Sequence, residues 1–256
     1  MNDNPFRPPS EPFNDAQEKQ VADAKGQSIR VSAPQSAPYV TYTIIAITSL
    51  VYLLQLITSD LPIIFLAKSN ELIREGQLWR LVTPALVHGS VPHILFNMYA
   101  LLSFGTGLER HFGHGRFFLL YILSAFTGNV MSFLLTSGNS VGASTAIFGL
   151  VGAEGVFLLQ NRKLFGGQFR NAIGNVIFVV AINLFFGLQP QIDNWGHIGG
   201  LLGGLIFTSF AGPVWEIEGI RPMYHLVDRR EVGGVIIGAA TVLFIFGGLA
   251  FWGMVR

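Results

Sequence analysis

One stretch of the sequence governs the predicted fold: Val141-Gly142-Ala143-Ser144-Thr145-Ala146-Ile147-Phe148-Gly149. Its small residues predict a turn ahead of an apolar run, so that Ser144 stands at the amino-terminal end of a helix. A lone serine in such a place is usually a helix cap or a packing residue. A chemical role for Ser144 therefore depends on which other residues the chain brings to the same place.

The composition predicts a membrane protein. Half of the 256 residues are hydrophobic and only 12% are charged, whereas about 25% of the residues in a soluble domain are charged. The 30 glycines fall within apolar runs, where small residues let transmembrane helices pack closely. The net charge of +1 gives no indication of nucleic-acid binding. The absence of cysteine excludes disulfides, cysteine nucleophiles and thiolate metal sites.

The order of polar and apolar segments predicts an all-α polytopic membrane helix bundle. Residues 1–38 carry scattered prolines and charges of both signs, which predicts a disordered tail rather than a signal peptide. A span needs roughly 17 to 25 residues. Residues 39–213 are predicted to form a six-helix core, and residues 214–256 a connection and a seventh transmembrane helix. The apolar runs lie near residues 40–58, 91–107, 117–137, 144–160, 171–188, 196–213 and 232–253.

The basic residues of the connections predict the orientation. With a cytoplasmic amino terminus, eight lie in the inner segments: Arg110, Arg116, Arg162, Lys163, Arg170, Arg221, Arg229 and Arg230. Three lie in the outer segments: Lys68, Arg74 and Arg80. The positive-inside rule therefore places the amino terminus in the cytoplasm and the carboxyl terminus outside. The second, fourth and sixth helices then begin near the outer face.

Polar side chains mark the amino-terminal ends of these three helices. The second helix carries His93 and Asn97, which share one face because they are four residues apart. The fourth begins at Ser144 and the sixth carries His197. Ser144 and His197 supply a nucleophile and a base, while His93 and Asn97 supply hydrogen-bond donors for a developing oxyanion. Free N–H groups at the start of the fourth helix add to these donors.

No carboxylate is predicted to complete a triad. Glu154 lies ten residues beyond Ser144, which is about 15 Å along a helix and too far to orient His197. It is interpreted as a neutral or paired structural residue, and Asp193 as a loop or capping residue. Phe148, one turn below Ser144, is placed to stack on the imidazole. A two-residue dyad is therefore the simpler hypothesis.

Four motifs in this order resemble those of the rhomboid family of intramembrane serine proteases. Trp79-Arg80 resembles the family's Trp-Arg pair, and His93-Ile94-Leu95-Phe96-Asn97 its HxxxN motif. Gly142-Ala143-Ser144 matches the GxS motif, and His197-Ile198-Gly199-Gly200-Leu201-Leu202-Gly203-Gly204 matches HxxGxxxG. The similarity covers residues 40–213. From the residues alone, a second interpretation of Trp79 and Arg80 is equally good: an interfacial aromatic residue beside an arginine that binds lipid headgroups, with no further role.

The resemblance implies a role for each of these residues. Ser144 is the implied nucleophile and His197 the general base, and His93, Asn97 and the Ser144 backbone form the implied oxyanion hole. Phe148 packs on the base. The supporting positions are Gly142, Trp79, Arg80, Gly200 and Gly204.

Two residues depart from the family pattern. Thr145 stands where glycine is frequent, and Gly196 stands where alanine is frequent. Both are small, so activity is still expected. The family also pairs an acidic with a basic residue to brace the loop after the second helix, and Glu109-Arg110 match that pair.

The predicted function is hydrolysis of peptide bonds in or near transmembrane segments of other membrane proteins. No metal and no cofactor is expected, and the expected partners are single-span substrates and the lipid bilayer. The predicted location is the plasma (inner) membrane, with the active site near the outer face. The loop after the fifth helix, residues 186–194, could cover the site as a flexible cap. The alternatives are a catalytically silent relative that binds or escorts membrane clients, and a small transporter or channel.

Overall fold

A computed structural model describes residues 36–220 and 223–256, so residues 1–35 of the predicted tail lie outside the described part. Long helices occupy all seven predicted apolar runs. They are α1 (Tyr39–Ile57), α2 (Val91–Ala100, a π-helical turn at Leu101–Gly105, and Thr106–Phe112), α3 (His114–Leu135), α4 (Ser144–Gln160), α5 (Phe169–Phe186), α6 (Asn194–Ala211) and α7 (Val232–Val255). The polytopic helical bundle is confirmed.

The helices differ in how well they would span a bilayer. Within the described part of the chain, four helical segments are long and apolar enough: Tyr39–Ile57, His114–Leu135, Arg162–Phe186 and Val232–Val255. At 17 residues, α4 is shorter. Its residues are buried around almost the whole circumference, as expected of an apolar helix at the centre of a bundle. The position of Ser144 is therefore fixed by the helices that surround α4 rather than by lipid.

Glycines bring α6 against α4. A Cβ atom at Gly200 would overlap the carbonyl oxygen of Thr145, and one at Gly204 would overlap the carbonyl oxygen of Gly149. Gly149 in turn lies against the side chain of Ser124 in α3. Small residues allow this backbone approach, as they do in other transmembrane helix pairs. The beginnings of α4 and α6 are thereby held side by side.

Glu109, near the end of α2, holds the beginning of α1. Its carboxylate accepts hydrogen bonds from the N–H groups of Val40 and Thr41, at 2.8 and 2.7 Å, and from the Thr41 hydroxyl at 2.7 Å. It also contacts His114 Nδ1, at 2.6 Å, across the turn after α2. The carboxylate therefore caps a helix whose own N-cap residue, Pro38, makes no side-chain cap. Glu109 braces this turn through His114.

The connection between α6 and α7 contains a two-stranded antiparallel sheet that the sequence did not predict. Strands β1 (Trp215–Ile220) and β2 (Met223–Asp228) pair so that Trp215 lies opposite Asp228. Arg116 of α3 donates to Asp228 at 2.5 Å. The side chain of Asn161 accepts from the Trp215 N–H at 2.7 Å. These contacts fasten the hairpin to the end of the bundle opposite Ser144.

Short segments fill the connection between α1 and α2. They are helices at Leu61–Leu66 and Asn70–Arg74 and 3-10 turns at Leu78–Leu81 and Thr83–Leu86. The N–H of Lys68 donates to the carbonyl of Ser140 at 3.0 Å, and the reverse bond measures 3.2 Å. The α1–α2 connection thus lies directly against the loop that precedes Ser144.

Candidate active site

Ser144 and His197 meet where α4 and α6 begin. Ser144 Oγ lies 2.9 Å from His197 Nε2. The ring of Phe148 is stacked on the imidazole, with ring centroids 4.2 Å apart and planes 9° apart. Because Phe148 lies one turn after Ser144 on the same helix, α4 carries both the hydroxyl and the surface against which the imidazole rests. Only 8% of His197 is exposed.

The second ring nitrogen of His197 has no hydrogen-bond partner among the described residues. Nδ1 is buried and forms no hydrogen bond with any residue that the structure describes. Asp193, four residues earlier, accepts instead from the N–H of Gly196 at 3.0 Å and caps α6. The prediction that Asp193 is a capping residue is confirmed. Within residues 36–220 and 223–256, Ser144 and His197 therefore form a pair without a hydrogen-bonded carboxylate.

His93 and Asn97 converge on the backbone of Gly142. A Cβ atom at Gly142 would lie 2.6 Å from His93 Nε2 and 3.7 Å from Asn97 Nδ2. Gly142 also has a φ of +119°, which L side chains rarely adopt. Glycine is required at this position for both reasons. The approach places the two polar side chains of α2 beside the turn that leads into Ser144.

A further histidine, which belongs to none of the four sequence motifs, supports the same turn. His88 is 1% exposed, and its Nε2 accepts a hydrogen bond from the Ala143 N–H at 3.3 Å. The backbone of His88 is held on both sides by Gln55 of α1, through bonds of 2.9 and 3.1 Å. Burial, and secondarily the neighbouring His93, lowers the pKa of His88 to about 3. His88 is therefore a neutral acceptor at neutral pH.

Arg80 and Trp79 fasten the α1–α2 connection. Arg80 is 3% exposed, and its guanidinium donates to the carbonyls of Ala67 and Ile64 at 2.6 and 2.7 Å. An arginine held in this way is not free to bind a lipid headgroup. Trp79 remains 51% exposed, and its indole N–H donates to the Phe65 carbonyl at 3.1 Å. Arg80 therefore holds the connection together, and Trp79 adds one bond to it.

The two residues that depart from the family pattern touch each other. A Cβ atom at Gly196 would lie 3.1 Å from Thr145 Cγ2, which is tighter than an ordinary contact. Thr145 itself is buried. The methyl group of Thr145 and the carboxylate of Asp193, which is also 3.1 Å from that Cβ position, both limit the space for an alanine side chain at position 196. The two residues that depart from the family pattern are therefore neighbours in the structure.

A cavity of about 820 Å³ opens beside Ser144 and His197. Polar residues, among them Ser90 and Asn139, line the end near the helix starts. Apolar residues, among them Phe104, Val151 and Val179, line the part between α2, α4 and α5. The segment after α5 contributes Gln191 to Asp193 to the wall. One space therefore connects the hydroxyl and imidazole with a polar mouth and an apolar groove.

The sequence is similar to those of known proteins of the rhomboid family. A model of the Rhomboid domain matches residues 75–213, more than half of the chain. The rhomboid protease GluP of Bacillus subtilis (strain 168) is 38% identical over 218 residues, which are 83% of this chain and 41% of that protein. RHOMBOID-like protein 7 of Arabidopsis thaliana is 39% identical over 191 residues, 70% of this chain and 59% of that protein. RHOMBOID-like protein 9, chloroplastic, from the same plant is 35% identical over 159 residues, 62% of this chain and 37% of that protein.

The chain spans less than two thirds of the length of each of these three relatives. The matched region nevertheless contains both helices that carry Ser144 and His197. The chain is an integral membrane protein of the rhomboid family.

Proposed function

We propose that this protein is an intramembrane serine endopeptidase in which Ser144 is the nucleophile and His197 the general base. The observation that carries the proposal is the 2.9 Å separation of Ser144 Oγ and His197 Nε2 at the wall of the cavity. A hydroxyl becomes a useful nucleophile when an adjacent base accepts its proton. Phe148 keeps the imidazole in one plane, so that Nε2 stays directed at the hydroxyl.

In the first half of the reaction, Ser144 Oγ attacks the carbonyl carbon of the scissile peptide while its proton passes to His197 Nε2. The carbonyl oxygen becomes an oxyanion, which His93, Asn97 and the Ser144 backbone N–H stabilise. Preorganised donors of this kind supply a large part of the catalysis in acyl transfer. The tetrahedral intermediate collapses, and the amine leaves with the proton from His197. An acyl-enzyme ester on Ser144 remains.

In the second half, water gives a proton to His197 Nε2 and attacks the ester carbon. The collapse of the second tetrahedral intermediate returns the proton to Ser144 Oγ and releases the acid product. The polar mouth near Ser90 and Asn139 supplies a route for this water. The residues described here provide every group that these steps use, and the proposal includes neither a metal nor a cofactor.

The proposed substrates are membrane proteins with a single span, cleaved in or near that span. A peptide bond inside an intact helix is shielded, because its carbonyl is already hydrogen-bonded. An extended stretch with small or helix-breaking residues therefore fits the cavity better. The proposed location is the plasma membrane, with the amino terminus in the cytoplasm, the carboxyl terminus outside and Ser144 near the outer face. The distribution of basic residues supports this orientation.

The segment after α5 is proposed to act as a movable cap over the cavity. Gln191 and Ile192 line the cavity from this segment, and Phe96 lines it from α2. The chain has no cysteine, so a single pair introduced at Gln191 and Phe96 can be crosslinked without background. Linking this pair is expected to block cleavage and reduction to restore it. Undiminished cleavage in the linked protein would argue against a movable cap.

Cleavage by the purified full chain in liposomes, with a single-span substrate, tests the proposal. Ser144→Ala and His197→Ala are each expected to lower the rate by at least about a thousandfold, since nucleophile and base act as a unit. Ser209→Ala is a matched control, because among the described residues the hydroxyl of this serine of α6 bonds only to the Leu205 carbonyl of the same helix. Equal cleavage by all three variants would contradict the proposal that Ser144 and His197 form a catalytic dyad. Substrate binding without cleavage by the wild type would favour the escort alternative.

A further inference from the structure

We propose that Asp193 is a positioning residue whose negative charge stabilises the protonated imidazole of His197 through space, without a hydrogen bond between them. The inference rests on the proposed function and assigns the dyad an electrostatic partner in the connection before α6. Asp193 and His197 line the same cavity. Asp193 is the N-cap residue of α6 and His197 lies four positions later, one helical turn along the chain.

The carboxylate is built into a site that keeps it charged. Its oxygens accept from the hydroxyl of Ser132, from the hydroxyl of Thr136 at 2.9 Å and from the N–H of Gly196 at 3.0 Å. Burial by itself would raise the pKa of Asp193, but these hydrogen bonds outweigh it and hold the pKa below its usual value. Each donor favours the ionised form, which accepts hydrogen bonds at both oxygens. A cap alone would need just one of these bonds.

A buried lysine stands behind the carboxylate. Lys68 is 0% exposed, and its Nζ donates to the carbonyls of Thr136 and Gly138 at 3.0 and 2.8 Å. Thr136 therefore holds Lys68 through its carbonyl and Asp193 through its hydroxyl. Burial lowers the pKa of Lys68 to about 8, and the nearby charge of Asp193 acts in the opposite direction. Below about pH 8, Lys68 is therefore positively charged and lies on the side of the Asp193 carboxylate away from His197.

No other described carboxylate competes for this role. The only titratable group of α4 is Glu154, about 15 Å along the helix from Ser144. From α3, the groups that bond to the Asp193 carboxylate are the hydroxyls of Ser132 and Thr136. Two other histidines lie at the site. His93 of α2 lines the cavity, and its positive form would oppose a charged His197. His88 of the α1–α2 connection contacts His93 and is neutral over the pH range of the test, because its pKa is about 3. Asp193 is thus the group whose charge favours the imidazolium that forms when Ser144 gives up its proton.

The test compares Asp193→Asn with the wild type in liposomes between pH 4.5 and 7, where Lys68 stays charged. Asparagine keeps the helix cap but removes the charge. Two charges one helical turn apart, about 6 Å, interact enough to move a titration by about one pH unit. The acid limb of kcat/KM should therefore move to lower pH by about one unit. kcat should fall about three- to tenfold, as expected for a weaker base, while KM stays unchanged.

Lys68→Gln is the complementary variant, since it leaves the charge of Asp193 uncompensated. It is expected to move the acid limb in the opposite direction, to higher pH. Ser132→Ala is the structural control, because it removes one bond to the carboxylate and leaves the charge in place. In Ser132→Ala, the acid limb of kcat/KM should shift by no more than about a third of the shift in Asp193→Asn.

Titration of isotope-labelled His197 by NMR separates this inference from the proposed function. A lower midpoint in Asp193→Asn than in the wild type supports the charge effect, even if the wild type cleaves no substrate. An unchanged midpoint overturns it, even if the wild type is an active protease. A uniform loss of activity at every pH together with easier unfolding would show that Asp193 acts only as a cap, which also overturns the inference.

Discussion

Replacing Gly200 by alanine is expected to damage both the stability of the fold and the dyad. The new methyl group would overlap the carbonyl oxygen of Thr145, and its nearest neighbours are all backbone atoms of that residue. Backbone cannot move aside as a flexible side chain can, so α6 and α4 must separate. Overpacking of this kind costs about 1 to 3 kcal/mol and occasionally more.

The effect on catalysis should exceed the effect on stability. Ser144 is next to Thr145, and His197 lies three residues before Gly200, so a separation of the helices lengthens the 2.9 Å contact directly. A displacement of about 1 Å between reacting groups costs roughly a hundredfold in rate. Gly200→Ala is therefore expected to lower kcat by about two orders of magnitude, even where most of the protein remains folded.

Gly247→Ala provides the matched control. Gly247 is also a helical glycine, in α7, but a Cβ atom there would have nothing within 4 Å. The same substitution should leave cleavage unchanged and alter the free energy of unfolding by no more than about 1 kcal/mol. Both variants are measured in liposomes for cleavage and in mixed micelles for unfolding. Wild-type kcat in folded Gly200→Ala would refute the argument that this contact sets the Ser144–His197 distance.

Two further predictions concern residues around the dyad. His88→Ala leaves the buried N–H of Ala143 without its acceptor, and we expect a loss of about 1 to 3 kcal/mol in the free energy of unfolding. Because the pKa of His88 is about 3 in the fold and about 6.5 in the unfolded chain, the unfolded state binds more protons between these values. The contribution of His88 to the free energy of unfolding should be complete above pH 6.5 and decline by roughly 4 kcal/mol as the pH falls to 3. An identical dependence of the free energy of unfolding on pH in the wild type and in His88→Ala would contradict this. Gly196→Ala should cost about 1 kcal/mol alone and less in a Thr145→Gly background, with a coupling energy of about 0.5 to 1 kcal/mol in a double-mutant cycle; strict additivity would show that the two residues do not share the space.

Sequence patterns predicted some helix limits better than others. The predicted fourth run, 144–160, coincides with α4, because a glycine turn precedes it and polar residues follow it. The second run was predicted to end near residue 107, whereas α2 continues to Phe112. Its last turns carry charged residues, which lower the hydropathy of that segment. The fold nevertheless buries Glu109 completely, because the start of α1 supplies three hydrogen bonds to it.

Residues that act through distant contacts had no signal in the sequence. His88 is a single histidine in a loop, and its partners Gln55 and Ala143 lie 33 and 55 residues away. The β strands Trp215–Ile220 and Met223–Asp228 lie in a connection that the predicted helices left unassigned, and Arg116 of α3 and Asn161, which follows α4, fasten them to the bundle. Helix periodicity and motif spacing report on local structure and on family. They do not report on which loop packs against which helix end.

The α1–α2 connection supports the loop that precedes Ser144. A serine loop that must hold a glycine at φ +119° against His93 is not stabilised by α4 alone. The connection supplies an acceptor for two N–H groups of this loop. The Pro84 carbonyl accepts from the Gly142 N–H at 2.9 Å, and His88 Nε2 accepts from the Ala143 N–H. It also pairs Lys68 with Ser140. Since these bonds occupy the N–H groups of Gly142 and Ala143, the N–H of Ser144 is the next one along the chain and the first that the proposed oxyanion hole can use. The geometry of the proposed oxyanion hole should therefore depend on a segment that lies more than fifty residues before Ser144.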